Sequence, residues 1–312
     1  MPPVTASTVT PADAPRCGLL VPCRNGDRFL RRLAASAQSQ TRAFDECWLF
    51  DDASTDDTAE LAAELGFRVI RSDRRVGPAA ARNRLAAACA CDWLHFHDAD
   101  DTMHPAYLSR SLAAAAGADL VICDMRWVRE TDGSLEQVWH YDSAELASDP
   151  TRFLLNRTVG GINGLYRRSA WTEFGGFDVQ RDYWEDLELS WRWLRAGARF
   201  QVVNEELVTA HRRDDSYSNA HLEQVWLSKV KLIESWLGEA TDRERQSIAA
   251  EAEAIAGRLH QLGSHAGVRS ALAVCRAAGG APPTTSSRVL QFVRLFSSEF
   301  AFRLQTARRN LG

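Results

Sequence analysis

The chain has 312 residues, 45% of them apolar and 25% charged, with a formal net charge of −4. Those values are ordinary for a globular protein with a full core, and the absence of a basic surplus argues against a general nucleic-acid binder. No run of about 18 apolar residues occurs, so no spanning helix is expected. The seven cysteines (17, 23, 47, 89, 91, 123 and 275) are odd in number and form no CxxC pair. That pattern predicts reduced thiols in a cytoplasmic compartment, and neither a disulfide scaffold nor a thiolate zinc site.

Taken in order, MPPVTASTVTPADAP lacks the basic start and apolar core of a signal peptide, so residues 1–15 read as a disordered leader. Gly18–Val21 is a short apolar strand, and residues 27–38 carry Phe29, Leu30 and Leu33 in helical spacing. Further strands are expected at 46–50, 67–70, 92–96 and 119–123, separated by helices over 59–65, about 77–89 and about 105–116. Pro78 suits the first turn of its helix. Residues 128–160 read as loop and irregular structure, 162–168 as a strand, 184–196 as a helix and 199–203 as a strand. Helices then follow at 220–237, 243–261 and about 287–305. Short strands alternating with helices predict an α/β fold, a Rossmann-like, mostly parallel sheet with helices on both faces, plus a helical C-terminal extension.

Such a sheet binds ligands beyond the carboxyl ends of its strands. Polar residues gather there: Arg24–Asn25 after the first strand, Asp51–Asp52 after the second, Arg74 to Gly77 after the third, and Asp98, Asp100 and Asp101 after the fourth. The acidic run HDADD has two bland readings, a helix cap and a solvated turn, and a functional one as a divalent metal site, which its place at the sheet mouth favours. Asp51 and Asp52 suit a sugar hydroxyl or a base N–H, and also an Asx turn with Ser54 and Thr58. The chain reads PCRNGDRF after the first strand, without the glycine fingerprint of a dinucleotide enzyme, and GxxxxGK[ST] is absent too.

Together VPCRN (21–25), DDASTDDT (51–58), RRVGPAAARN (74–83) and HDADD (97–101) resemble the nucleotide-sugar half of the family 2 inverting glycosyltransferases, which have the GT-A fold. GGFD (175–178), WED (184–186) and then His211 resemble their second half, so the resemblance spans residues 17–213, about two-thirds of the chain. It implies a catalytic domain over 16–215, with 16–127 binding the donor and 128–215 the acceptor, and a helical extension over 216–312. The implied donor is a UDP-, dTDP- or GDP-linked sugar, held by Pro22, Arg24, Asn25, Asp51, Asp52, Arg75, Gly77, Arg82, Asp98, Ala99 and Asp100. The implied Mg²⁺ or Mn²⁺ sits on the DxD motif, with Asp100 as principal ligand and Asp98 and His211 beside it. Asp186 is the implied general base, with Glu185 next to it. Trp184 and Gly161 are placed on the acceptor side, where the acceptor is a small molecule, a saccharide or a lipid-linked group. Two departures add positive charge at the donor: Arg24 stands where the family has an aromatic residue and Arg75 where it has asparagine.

The chemistry that the resemblance implies has a physical case beside it. Cleaving a sugar from a nucleoside diphosphate develops negative charge on the leaving group, which a divalent ion stabilises. Attack from the opposite face needs one carboxylate near the acceptor hydroxyl, and a single displacement inverts the anomeric centre. Glu185–Asp186 also has a bland reading as the cap of a helix burying Leu187, Leu189, Trp191 and Leu194. Segment 288–310 places Val289, Phe292, Val293, Phe296, Phe300 and Leu304 on one face, with five arginines against Glu299. It suits packing against the domain, a homodimer contact, or peripheral contact with the inner membrane face. A nucleotidyltransferase on a related sheet and a catalytically inactive nucleotide-sugar or glycan binder are the rival functions.

Overall fold

The computed structural model describes residues 14–159, 161–213 and 221–280. The helix expected at about 287–305, and all of the leader but its last two residues, lie outside the described residues.

The first half follows the sequence pattern closely. Strand β1 (Cys17–Cys23), helix α1 (Asp27–Gln38), β2 (Glu46–Asp52), α2 (Thr58–Glu64), β3 (Arg68–Ser72), α3 (Pro78–Ala88) and β4 (Trp93–Phe96) alternate in order. Strands β3, β2, β1 and β4 pair in that sequence, all parallel. Successive side chains of a strand point to opposite faces, and Cys17 to Val21 are all buried, so β1 is covered on both sides. Helix α1 buries Leu30, Leu33, Ala34 and Ala37, the single stripe that an amphipathic helix turns to a core. Helix α3 starts with Pro78 directly after Gly77, whose φ of +86° only glycine adopts easily.

Beyond β4 the sheet departs from expectation. It continues through β5 (Thr102–Met103), α4 (Tyr107–Ala113), β6 (Leu120–Arg129), β7 (Leu135–Trp139), α5 (Ser143–Ser148), α6 (Pro150–Asn156), β8 (Gly164–Arg167), α7 (Arg168–Phe174), α8 (Glu185–Arg195) and β9 (Phe200–Arg212). The full order is β3-β2-β1-β4-β8-β6-β9-β5, with β7 alongside β6. The sheet is mixed rather than mostly parallel: β8 runs antiparallel between β4 and β6, β7 is antiparallel to β6, and β5 to β9. Strand β8 begins at the rim to which β1, β2 and β4 lead, and runs away from it. That reversal brings the residues just before Gly164 to the rim.

Residues 128–160, expected to be irregular, hold the end of β6, β7, α5 and α6. Strand β7 is largely exposed and so shows no apolar alternation, while α5 and α6 are too short for a helical period and are opened by Asp142 and Asp149 caps. The strand expected over 199–203 runs on to Arg212, past register shifts where Cys123, Asp124 and Met125 face Val203, Glu206 and Val208. Polar Asn204 to Glu206 occupy that bulge, which is why the apolar run ends early in the sequence.

After the described break come α9 (Leu222–Trp236), α10 (Asp242–Gln261) and α11 (His265–Ala277), the last unread in the sequence because alanine and glycine dilute its pattern. Thr241 and Glu244 form a reciprocal capping box at the start of α10. The three helices dock on the sheet domain: Trp236 stacks on Trp191 of α8 at 4.3 Å, and Arg195 reaches Glu244 at 3.0 Å. Buried Lys229 is neutralised by Glu251 at 2.7 Å. No helix among the described residues is long and apolar enough to cross a membrane.

Candidate active site

Three loops after β1, β2 and β3 are tied into one rim by their own polar groups. Asn25, in the left-handed region at φ 52°, has its N–H on Ser54 Oγ at 2.9 Å and its Oδ1 accepting from the Thr55 N–H at 2.9 Å. Asp51 accepts from Ser54 N–H at 3.0 Å and pairs with Arg71. Asp52 accepts from the Val76 and Gly77 N–H groups at 2.6 and 2.9 Å, holding the RRVG loop against β2. Both aspartates are buried, and their bland turn-forming role is real. Asp52 nevertheless also faces a cavity of about 600 Å³, together with Pro22, Arg24 and Arg75.

At the end of β4, Asp98, Asp100 and Asp101 crowd one short turn. Asp98 accepts from Arg82 at 2.9 Å, Asp100 from Arg213 at 2.7 Å, and buried Asp101 from the His211 backbone N–H at 2.8 Å. Burial first, then the charge of Asp98, raises the Asp100 carboxyl. Asp101 is driven well above the usual carboxylate range by burial, then by Asp100 and Asp98.

Arg82 links this turn to α8. Its buried guanidinium donates to Asp98 and, at 2.7 Å, to Glu185, and Gly161 lies directly against it. Trp184 precedes Glu185 in the left-handed region at φ 63°, a strained state for a bulky residue, held by its indole N–H on the Val225 carbonyl at 2.6 Å. Asp186 lines the cavity beside Glu185, its carboxyl pushed up to about 7 by burial and then by the Glu185 charge. A carboxylate poised there is suited to accept a proton near neutral pH.

The two second-half motifs also have a structural job. Asn83 and Phe177 exchange hydrogen bonds, amide to carbonyl at 2.8 Å and backbone N–H to amide oxygen at 2.9 Å, so ARN grips GGFD. Gly176 makes that possible, since a Cβ there would crowd Asn83 Oδ1 and meet Trp171 at 2.8 Å. Gly176→Ala is expected to lower stability by about 1–3 kcal/mol, the usual overpacking cost, measured as a lower denaturant midpoint at constant slope.

Of the residues singled out in the sequence, Pro22, Arg24, Asp52, Arg75, Arg82, Asp98, Gly161, Trp184, Glu185 and Asp186 line this cavity. Asn25, Asp51, Gly77, Ala99, Asp100 and His211 do not; the first three brace the loops, and Ala99 is buried. The His211 imidazole contacts Thr102 at 3.1 Å and Glu130 at 3.2 Å. Sequence reasoning missed Arg32 (which donates to the Asp100 carbonyl at 2.5 Å) and the lining indoles Trp127, Trp139 and Trp226, and read Arg213 only as part of a basic loop suited to a diphosphate, not as the partner of Asp100. The basic pair after His211 was the one signal available for Arg213.

A family model described as Glycosyl transferase family 2 matches residues 19–175, half of the chain. The chain belongs to that family. Its curated relatives include a pre-mycofactocin glycosyltransferase of Mycobacterium tuberculosis, 30% identical over 62% of this chain and 42% of that protein. They also include the succinoglycan biosynthesis protein ExoU of Rhizobium meliloti, 26% identical over 65% of this chain and 64% of that protein. The chain thus spans less than half the length of the mycobacterial relative. Among solved structures, S. aureus TarS residues 1–349 in complex with UDP-GlcNAc aligns at a TM-score of 0.59 and 14% identity, covering 88% of this chain and 95% of that one. That likeness shows a GT-A-like fold.

For a family 2 member the metal question falls on the acidic turn. Hard oxygen donors crowded until two of the three carboxyls are raised fit a divalent cation, which would relieve their repulsion. Asp98 and Asp100 are the side chains that would hold it, in exchange for Arg82 and Arg213. Among the described residues, the one trio of ligand atoms already within 4.8 Å of one another is Glu46, Cys89 and Cys91. That trio sits at the opposite end of the strands: Glu46 starts β2, and its carboxylate is taken by Arg16 at 2.6 Å and Trp48 at 2.8 Å.

Proposed function

We propose that the protein transfers a sugar from a nucleoside-diphosphate sugar to an acceptor hydroxyl, with inversion, using Asp186 as the general base. One observation carries the reading: the loops after β1 to β4 and the Glu185–Asp186 pair open into a single cavity, joined through Arg82. Arg24 and Arg75 bring positive charge to the diphosphate, and Asp52 meets the nucleoside from a loop it also braces. Asp98 and Asp100 hold Mg²⁺ or Mn²⁺, which when bound offsets the charge developing on the departing diphosphate. Asp186 receives the acceptor proton, and burial first, then the Glu185 charge, keeps its carboxyl high enough to act near neutrality. His211 braces the acidic turn through its backbone.

In this reading residues 16–215 form the catalytic unit, and α9 to α11 belong to the extension over 216–312. The protein works in the cytoplasm, with the C-terminal segment as a peripheral membrane or homodimer contact. Screening UDP, GDP and dTDP by thermal shift, with and without Mn²⁺, tests the donor site, because ligand binding raises the melting temperature by mass action. Asp100→Ala is expected to abolish the Mn²⁺-dependent part of that rise. An unchanged Mn²⁺ dependence removes Asp100 from the metal. Release of nucleoside diphosphate rather than pyrophosphate separates this reading from nucleotidyl transfer.

A further inference from the structure

The donor chemistry leaves one group of cavity-lining side chains unused. Trp127, Trp139, Trp184 and Trp226 line the cavity that holds Asp186. The loops after β1, β2 and β3 belong to one end of the sheet, while Trp127 and Trp139 pair on the β6–β7 hairpin beyond β4 and β8. Trp184 caps α8 and Trp226 lies in α9, outside the stretch that matches the family model.

These rings are half-buried, unlike Trp193, which is fully enclosed and belongs to the core. They form two preset pairs. Trp127 and Trp139 lie 5.3 Å apart at 60°, with Arg212 over Trp127 at 5.4 Å. Trp184 and Trp226 lie 5.5 Å apart at 42°, with Lys229 4.5 Å over Trp184 and Arg258 4.2 Å over Trp226. A cation over a ring face fixes its orientation, so little ordering cost remains for a ligand. The Trp127 indole N–H is buried without a hydrogen-bond partner, a donor awaiting an acceptor oxygen.

We infer that the two indole pairs form the acceptor subsite, and that the acceptor is a saccharide whose pyranose C–H faces stack on them. An acyl chain would use only the Met125, Ile162, Leu222 and Val225 part of this lining. Here Asp182, Arg212 and Thr158 line the same cavity among the indoles and can meet ring hydroxyls. The helical extension is then part of the active site, since α9 supplies Trp226 and the Val225 carbonyl that pins Trp184. This inference rests on the transferase reading for its chemistry, yet saccharide binding is measurable without any donor.

The test is saturation-transfer NMR on the full chain with cellobiose, chitobiose and the methyl glycosides of glucose and galactose, with 1-octanol as the aliphatic control. The wild type is expected to saturate ring C–H protons of at least one saccharide. Trp139→Ala and Trp226→Ala should weaken that saccharide's binding about three- to tenfold each, the worth of a stacked ring, while UDP affinity on the same samples is unchanged. Trp226→Phe, which keeps a stacking face, should restore most of it and guards against a misfolded alanine variant. No saturation of any saccharide, octanol bound in their place, or alanine variants that bind like the wild type would overturn the inference. Loss of wild-type UDP binding would count against the donor site instead.

Discussion

Asp186→Asn is expected to cut sugar transfer by about 10²-fold or more at saturating substrates while donor affinity stays within about twofold, because a positioned base acts on the chemical step. Initial rates of nucleoside-diphosphate release, set beside calorimetric donor binding, check both halves. With the Asp186 carboxyl pushed up to about 7, the wild-type rate should fall on the acid side of that value as the base becomes protonated. The same shift makes a stability prediction. A carboxyl whose folded pKa is raised binds protons more tightly in the folded state, so wild-type stability declines as pH rises from the ordinary carboxylate range through about 7. Asparagine does not titrate. The variant should therefore melt higher than the wild type, with a gap that is wider at about pH 8 than at about pH 5.

The second large effect is at Arg82. Its buried guanidinium lies between Asp98 at 2.9 Å and Glu185 at 2.7 Å. Arg82→Met keeps much of the volume and leaves both carboxylates facing each other without a counter-charge. Removing one partner from a fully buried ion pair costs about 3–5 kcal/mol. Here Glu185 is largely buried but the Asp98 carboxylate is 43% exposed and solvated, so a drop in the denaturant midpoint at or below the lower end of that range is expected. Arg82 also helps hold Asp186 ionised, and its loss should move the acid limb of the rate to higher pH. Arg82→Lys keeps the charge but lacks the planar fork that spans two carboxylates, so it should recover only part of the stability. A midpoint unchanged in Arg82→Met would show that the pair contributes nothing.

What the sequence made legible follows from burial. Strands β1, β2 and β4 are largely covered on both faces, so they appear as near-continuous apolar runs ended by polar residues, while the edge strand β3 shows only Val69–Ile70 between the exposed Arg68 and Arg71. The antiparallel insertion of β8 is invisible in pattern, because a four-residue apolar strand reads the same in either direction. Strand β7 escaped notice because its side chains face solvent. Asp52 was legible as a rim residue at the end of β2, and its structural task of holding the Val76 and Gly77 amides was not, since that depends on loop geometry. The indoles of Trp127 and Trp139 come from the adjacent strands of one hairpin and Trp226 from α9 far along the chain, and only the fold brings them to one cavity. The link from Arg82 to Glu185 spans 103 positions, a separation at which no local motif carries information.

The central claim, one displacement on the face opposite the leaving diphosphate with Asp186 taking the proton, is tested most directly by the configuration of the new bond. Proton NMR of the first product formed from an α-linked donor sugar should show a β-linked anomeric proton at the new glycosidic bond. An α-linked first product would mean two displacements or a same-face attack, and would contradict the assignment of Asp186 as the sole base.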